Sequence, residues 1–139
     1  MKKLLIILLT LSLFNCSTDD SNPVYENDPE ATIVGRWILP GFESNFRLEF
    51  TETKRFDIYG LDGVFPTLEE FNEQNPQLTG LDWYYEGEVL VVDLNFGNFL
   101  RLTPEFTCNN YVVKWVDENG DDAGYYYRDG YDITNCDDL

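Results

Sequence analysis

Phe46-Arg47-Leu48-Glu49-Phe50 sets three apolar side chains against two charged ones in strict alternation. Successive side chains of a strand point to opposite faces, so this run reads as a β-strand with Phe46, Leu48 and Phe50 inward and the charges outward. The same period extends in both directions. Ile33 to Leu39 reads as a strand ended by Pro40-Gly41. Glu52-Thr53-Lys54 turns the chain, and Phe56 and Ile58 are expected to continue the apolar face in a third strand. Leu81 to Tyr85 and Val89 to Leu94 flank Glu86-Gly87, a tight hairpin because Gly accepts positive φ. Asn95-Phe96-Gly97-Asn98 turns the chain into Phe99 to Phe106, and Tyr111 to Val116 and Gly124 to Arg128 close around Asp117 to Asp122.

One stretch interrupts the period. Leu61 to Gly80 contains Thr67-Leu68-Glu69-Glu70, a capping-box pattern with Pro66 just before it, and predicts a short helix over Leu68 to Gln74 ended by Asn75-Pro76. Eight antiparallel strands in chain order close most economically into an all-β, eight-stranded antiparallel up-and-down barrel, because closure removes the exposed edges. The helix then lies between strands three and four. A sandwich is the alternative. The barrel domain is expected over residues 32–139, including a C-terminal tail.

The chain begins differently. Lys2 and Lys3 precede an apolar run from Leu4 to Phe14, which is shorter than the roughly 20 residues that span a bilayer. A basic start, a short apolar stretch and a polar boundary form a secretory signal over residues 1–15. Its end, Leu13-Phe14-Asn15-Cys16, resembles the lipobox of bacterial lipoproteins, which implies that Cys16 carries acyl chains and becomes the first residue of the mature protein. Residues 16–31 are polar and acidic without period, and read as a lipidated flexible tether. Ser17 to Asp20 is similar to short acidic sequences that direct some outer-membrane lipoproteins to the cell surface. The expected location is the outer membrane, facing either the periplasm or the outside.

Loss of Lys2 and Lys3 would take the formal charge from −17 to −19. So acidic a body repels phosphate backbones and anionic bilayers, so nucleic acid is not an expected partner, and membrane attachment falls to the acyl chains. The chain contains no His, the commonest general base and metal ligand. It also lacks a Ser- or Cys-centred nucleophile motif and a Gly-rich phosphate loop, so no enzyme, cofactor or metal is expected. Asp117-Glu118-Asn119-Gly120-Asp121-Asp122 is acidic enough for calcium, but its Gly is fourth where a calcium loop needs it sixth, and Asn-Gly between strands signals a hairpin. Cys108 and Cys136 remain, and an isolated pair in an exported chain points to a disulfide closing about 29 residues, with two free thiols as the alternative. Tyr125-Tyr126-Tyr127 must face alternate sides of a strand and cannot form one sugar-stacking platform.

Gly35-Arg36-Trp37 at the start of strand one resembles the Gly-x-Trp signature of the lipocalins. That family carries an Arg on its last strand which covers the Trp at the closed end, and Arg128 stands in the matching place. The resemblance implies a structural anchor of Gly35, Trp37 and Arg128, and the ligand expected is a small apolar one held in the barrel mouth. The loop after strand one is shorter than the lipocalin lid, the second lipocalin signature is missing from Leu102 to Tyr111, and no long helix follows the last strand. The chain is thus more similar to small lipocalin-like domains of bacterial lipoproteins. In that topology Phe42, Phe65, Phe71 and Phe96 fall in loops framing the open mouth, and are the expected ligand-binding residues, with the Leu68–Gln74 helix as a lid. The alternative is a barrel filled by its own side chains, whose loops meet a protein or a glycan.

Overall fold

The computed structural model describes residues 29–139, so the signal segment, Cys16 and most of the tether lie outside the described residues. Eight strands run in chain order: β1 (Gly35–Ile38), β2 (Phe46–Phe50), β3 (Lys54–Tyr59), β4 (Leu81–Glu86), β5 (Val89–Asp93), β6 (Phe99–Thr107), β7 (Val112–Val116) and β8 (Asp122–Arg128). Each pairs antiparallel with the next, and β1 pairs with β8, so the sheet closes into a barrel. Between β3 and β4 lies one helix, α1 (Leu68–Gln74). The capping box forms as its residues require: Thr67 Oγ1 accepts from the Glu70 N–H at 3.2 Å, and Glu70 Oε2 accepts from the Thr67 N–H at 2.8 Å.

Register fixes which side chains are inside. Trp37 stands opposite Leu48 and Gly35 opposite Phe50, and Trp37, Leu48, Phe50, Leu90, Val113 and Trp115 belong to one buried cluster inside the barrel. Tyr126 joins this cluster while its neighbours Tyr125 and Tyr127 pack outside, the alternate facing that a strand imposes.

β3 departs from the expected apolar face. Leu48 stands opposite Asp57, Phe50 opposite Arg55 and Phe46 opposite Tyr59, so Arg55, Asp57 and Tyr59 turn inward while Phe56 and Ile58 turn outward. The cause is one residue of turn. Thr51 pairs with Lys54 through its N–H at 2.8 Å, and Thr51 Oγ1 accepts the Lys54 N–H at 3.0 Å. The loop is therefore the two residues Glu52-Thr53, with Lys54 already in the strand, and a one-residue slip exchanges the two faces.

The outward Phe56 and Ile58 are covered by α1, whose Phe71 packs edge-on against Phe56 with ring centroids 6.3 Å apart. The helix thus lies on the outer wall and is not a lid over the mouth. A second outer cluster of Ile38, Val112 and Tyr127 lies under the C-terminal tail, where Tyr131, Ile133, Cys108 and Cys136 pack. The Cys108–Cys136 disulfide forms, with Cα atoms 5.5 Å apart, and fastens the tail to the β6–β7 turn.

The β7–β8 hairpin shows what the acidic run does locally. Asp117 Oδ1 accepts from the Asn119 N–H at 2.8 Å and from the Asp121 N–H at 2.9 Å, so the turn itself occupies this carboxylate. The Asp121 N–H, followed by that of Asn119, holds the Asp117 carboxyl below its ordinary value. A lowered folded-state value means that this contribution is present above the unfolded value of 3.8 and is lost as pH falls through the folded one. A carboxyl-carbon NMR titration of Asp117 is expected to show a midpoint below 3.8 in the folded chain, returning to the ordinary value on unfolding.

Candidate functional site

The two ends of the barrel have different chemistry. At the closed end Arg128 lies over the Trp37 ring, its guanidinium carbon 4.5 Å from the centroid. Its nitrogens donate to Asn110 O at 3.0 Å, Val34 O at 3.2 Å, Glu30 O at 3.1 Å and Thr32 O at 2.9 Å. Burial pulls the guanidinium below its usual value, and four carbonyl oxygens surround the charge in place of water. Trp37 Nε1 donates to Ile33 O at 2.6 Å. Gly35, at φ +126°, leaves the space: a Cβ there would stand 2.8 Å from Arg128 Nη1. Gly35, Trp37 and Arg128 therefore meet in one place, a plug binding the incoming chain and the β6–β7 turn to the barrel floor.

The open end is framed by the connections β1–β2, β3–β4, β5–β6 and β7–β8. They carry eight carboxylates (Glu43, Asp62, Glu69, Glu70, Glu73, Asp117, Glu118, Asp121) and no Lys or Arg. Hydrogen bonding from the Gly41 N–H, at 2.9 Å, holds the Glu43 carboxyl below the usual carboxylate range. An anionic ligand approaching this end is repelled.

The four rings expected to frame the mouth do not converge. Phe42 stands at the rim, half exposed, edge-on to Phe46 at 6.5 Å. Phe65 lies on the outer wall, where the Arg47 guanidinium carbon sits 4.0 Å over its ring. Phe71 is buried beneath α1. Phe96 is fully exposed at the tip of the β5–β6 turn, at φ +55°. Two of the four are used in fastening the β3–β4 insertion to the barrel's outside. Arg47 itself is held by donating to Glu43 O of the β1–β2 connection at 2.7 Å and to Asp129 Oδ1, just past β8, at 3.1 Å.

What the mouth does hold is a groove of about 290 Å³ lined by Leu39, Phe42, Asn45, Phe46 and Tyr59. Leu39 and Phe46 pack on the core and form its base; Phe46 and Tyr59 lie 5.3 Å apart between centroids. Of these residues only Phe42 was expected from its loop position. Phe46 counted as core, and Tyr59 comes inward only because of the β3 register. A polar pair on the same inward face of β3, Arg55 and Asp57, was likewise not legible, since charges alternating with Phe56 and Ile58 read as an exposed face.

In comparisons with protein-family models, with curated proteins and with solved structures, no match to this chain was found.

Proposed function

We propose that the chain is an outer-membrane lipoprotein, anchored through acyl chains on Cys16, whose lipocalin-like barrel binds a small apolar ligand without catalysing a reaction. The observation that carries the binding reading is the aromatic groove at the mouth, about 290 Å³ and walled by Phe42, Phe46 and Tyr59. That size is at the lower edge of ordinary small-molecule pockets, roughly 300–1,000 Å³. The acidic loops around it favour an uncharged ligand over a fatty carboxylate. The anchoring half of the proposal rests on the Lys2 to Cys16 sequence alone.

Retinol, which is uncharged and fluorescent, tests the groove. The full chain is expected to bind it with micromolar affinity, and Phe42→Ala to weaken binding about fivefold, as removal of one half-exposed ring costs about 1 kcal/mol. No change in probe fluorescence at micromolar concentrations would contradict the reading. A second reading, contact of the loops with another protein, is favoured by Phe96: a bulky ring held fully exposed at positive φ is costly to the isolated chain.

A further inference from the structure

The wall of the barrel is thin between β3 and β4. Lys54 faces Asp82 and Arg55 faces Leu81, but Phe56 to Tyr59 have no partner in β4. The chain leaves at Gly60 and rejoins the sheet only at Leu81. Beside this gap lies a cleft of about 320 Å³, separate in its lining from the mouth groove.

The cleft has two kinds of surface. Phe71, Leu78 and Leu81 supply an apolar one. The polar one centres on Arg55 and Asp57, which form a fork: Nε donates to Oδ1 at 3.0 Å and Nη2 to Oδ2 at 3.1 Å. Gln77, Thr79 and Asn95 add uncharged donors and acceptors. The Arg55 side chain is 13% exposed and Asp57 38%. An ion pair turned toward a barrel interior loses hydration that its own two hydrogen bonds return only in part. The fork also leaves guanidinium N–H groups and carboxylate lone pairs unspent.

The interior flanking the pair is apolar, with Leu48 and Phe50 of β2 and Leu81 of β4 standing opposite it, so polar groups near it are few. Tyr126, on the far side of the barrel, is close enough for its hydroxyl to feel both charges, although burial is what chiefly raises its pKa. Trp115 packs edge-on against Tyr126 with centroids 5.4 Å apart. Its Nε1 is the one buried side-chain nitrogen or oxygen without a hydrogen-bond partner among the described residues. The barrel interior thus holds an unmatched donor on β7, outside the lining of the cleft.

We propose that this cleft binds a neutral, polyhydroxylated ring of monosaccharide size. Two adjacent hydroxyls match the fork, one accepting from the Arg55 guanidinium and one donating to the Asp57 carboxylate. The ring's C–H face lies against Leu78 and Leu81, the latter standing opposite Arg55 on the same face. The charge of each partner in the fork is already matched, and the open-end loops carry carboxylates and no Lys or Arg, so a carboxylate or phosphate has no place there. The retinol groove shares no lining residue with this cleft, and the proposal stands or falls apart from it.

The test is a titration of the full chain in detergent with methyl glycosides of glucose, galactose, mannose and N-acetylglucosamine, to about 50 mM so that millimolar affinities are captured. It is read by ¹H–¹⁵N NMR. At least one glycoside is expected to shift the Arg55 Nε–H and the Gln77 and Asn95 side-chain amides saturably. The double variant Arg55→Gln with Asp57→Asn keeps the cleft's net charge and is expected to weaken that binding at least about tenfold, leaving retinol binding unchanged. Absence of a saturable shift with every glycoside overturns the proposal, as does unchanged affinity in the double variant. A larger response to octanoate than to any glycoside would assign the cleft to anions and overturns it equally.

Discussion

Arg128→Ala is expected to lower the stability of the barrel by about 3–4 kcal/mol, a fall in thermal midpoint of roughly 12–16 °C for a domain of this size. Hydrogen bonds to a charged group are worth about 1.5–3 kcal/mol each, and a guanidinium over an indole about 0.5–2. Four carbonyls and the Trp37 ring meet this one side chain. Simple addition overshoots, because truncation lets water reach some of the freed carbonyls. Arg128→Lys keeps the charge but not the planar fork, and is expected to recover less than half of the loss. Gly35→Ala should act in the same direction, since its new Cβ meets Arg128 Nη1 at 2.8 Å in a backbone conformation that disfavours a side chain. Chemical denaturation of the three variants checks the prediction; an Ala variant within about 1 kcal/mol of the parent would refute the plug.

Removing the disulfide is the second large effect. The Cys108–Cys136 bridge spans a sequence separation of 28, and loss of such a closure in the chain-entropy picture costs about 3–4 kcal/mol. The tail it holds covers Ile38, Val112 and Tyr127 on the outer wall, so the double Cys→Ser variant should also expose that patch. The oxidised chain is expected to be two mass units lighter than the reduced one. In the double variant the amides of Ile133 to Asn135 should exchange with solvent faster than those of β7. Equal masses before and after reduction, or unchanged exchange in the tail, would refute the clamp.

Much of this architecture was legible because the signals were local. The alternation in Phe46 to Phe50, the capping box at Thr67 and Glu70, and the Gly and Asn residues at tight turns each specify backbone by themselves. Even Gly87 adopts its positive φ, although it opens the loop and Glu88 completes it. The facing of β3 was different. Glu52-Thr53 contains neither Gly nor Asn and adopts no positive φ, so nothing in its composition marks a two-residue loop. What sets the parity is Thr51 bonding to Lys54. Arg55 and Asp57 then look like an exposed face, and Phe56 and Ile58 like core, until α1 is known to cover them from outside. Both pockets inherit that ambiguity: Tyr59 enters the mouth groove, and Arg55 and Asp57 the separate cleft, only through the register. Phe65 and Phe71 misled for a related reason, since a ring in a loop is equally suited to a mouth and to fastening an insertion on an outer wall.

Ligand entry at the acidic, open end is checked by amide shift mapping with saturating retinol. Shifts are expected to concentrate at Leu39, Phe42, Phe46 and Tyr59, with Asn110 and Arg128 at the floor unmoved. Shifts centred on the floor or on the C-terminal tail, or none at all, would contradict it.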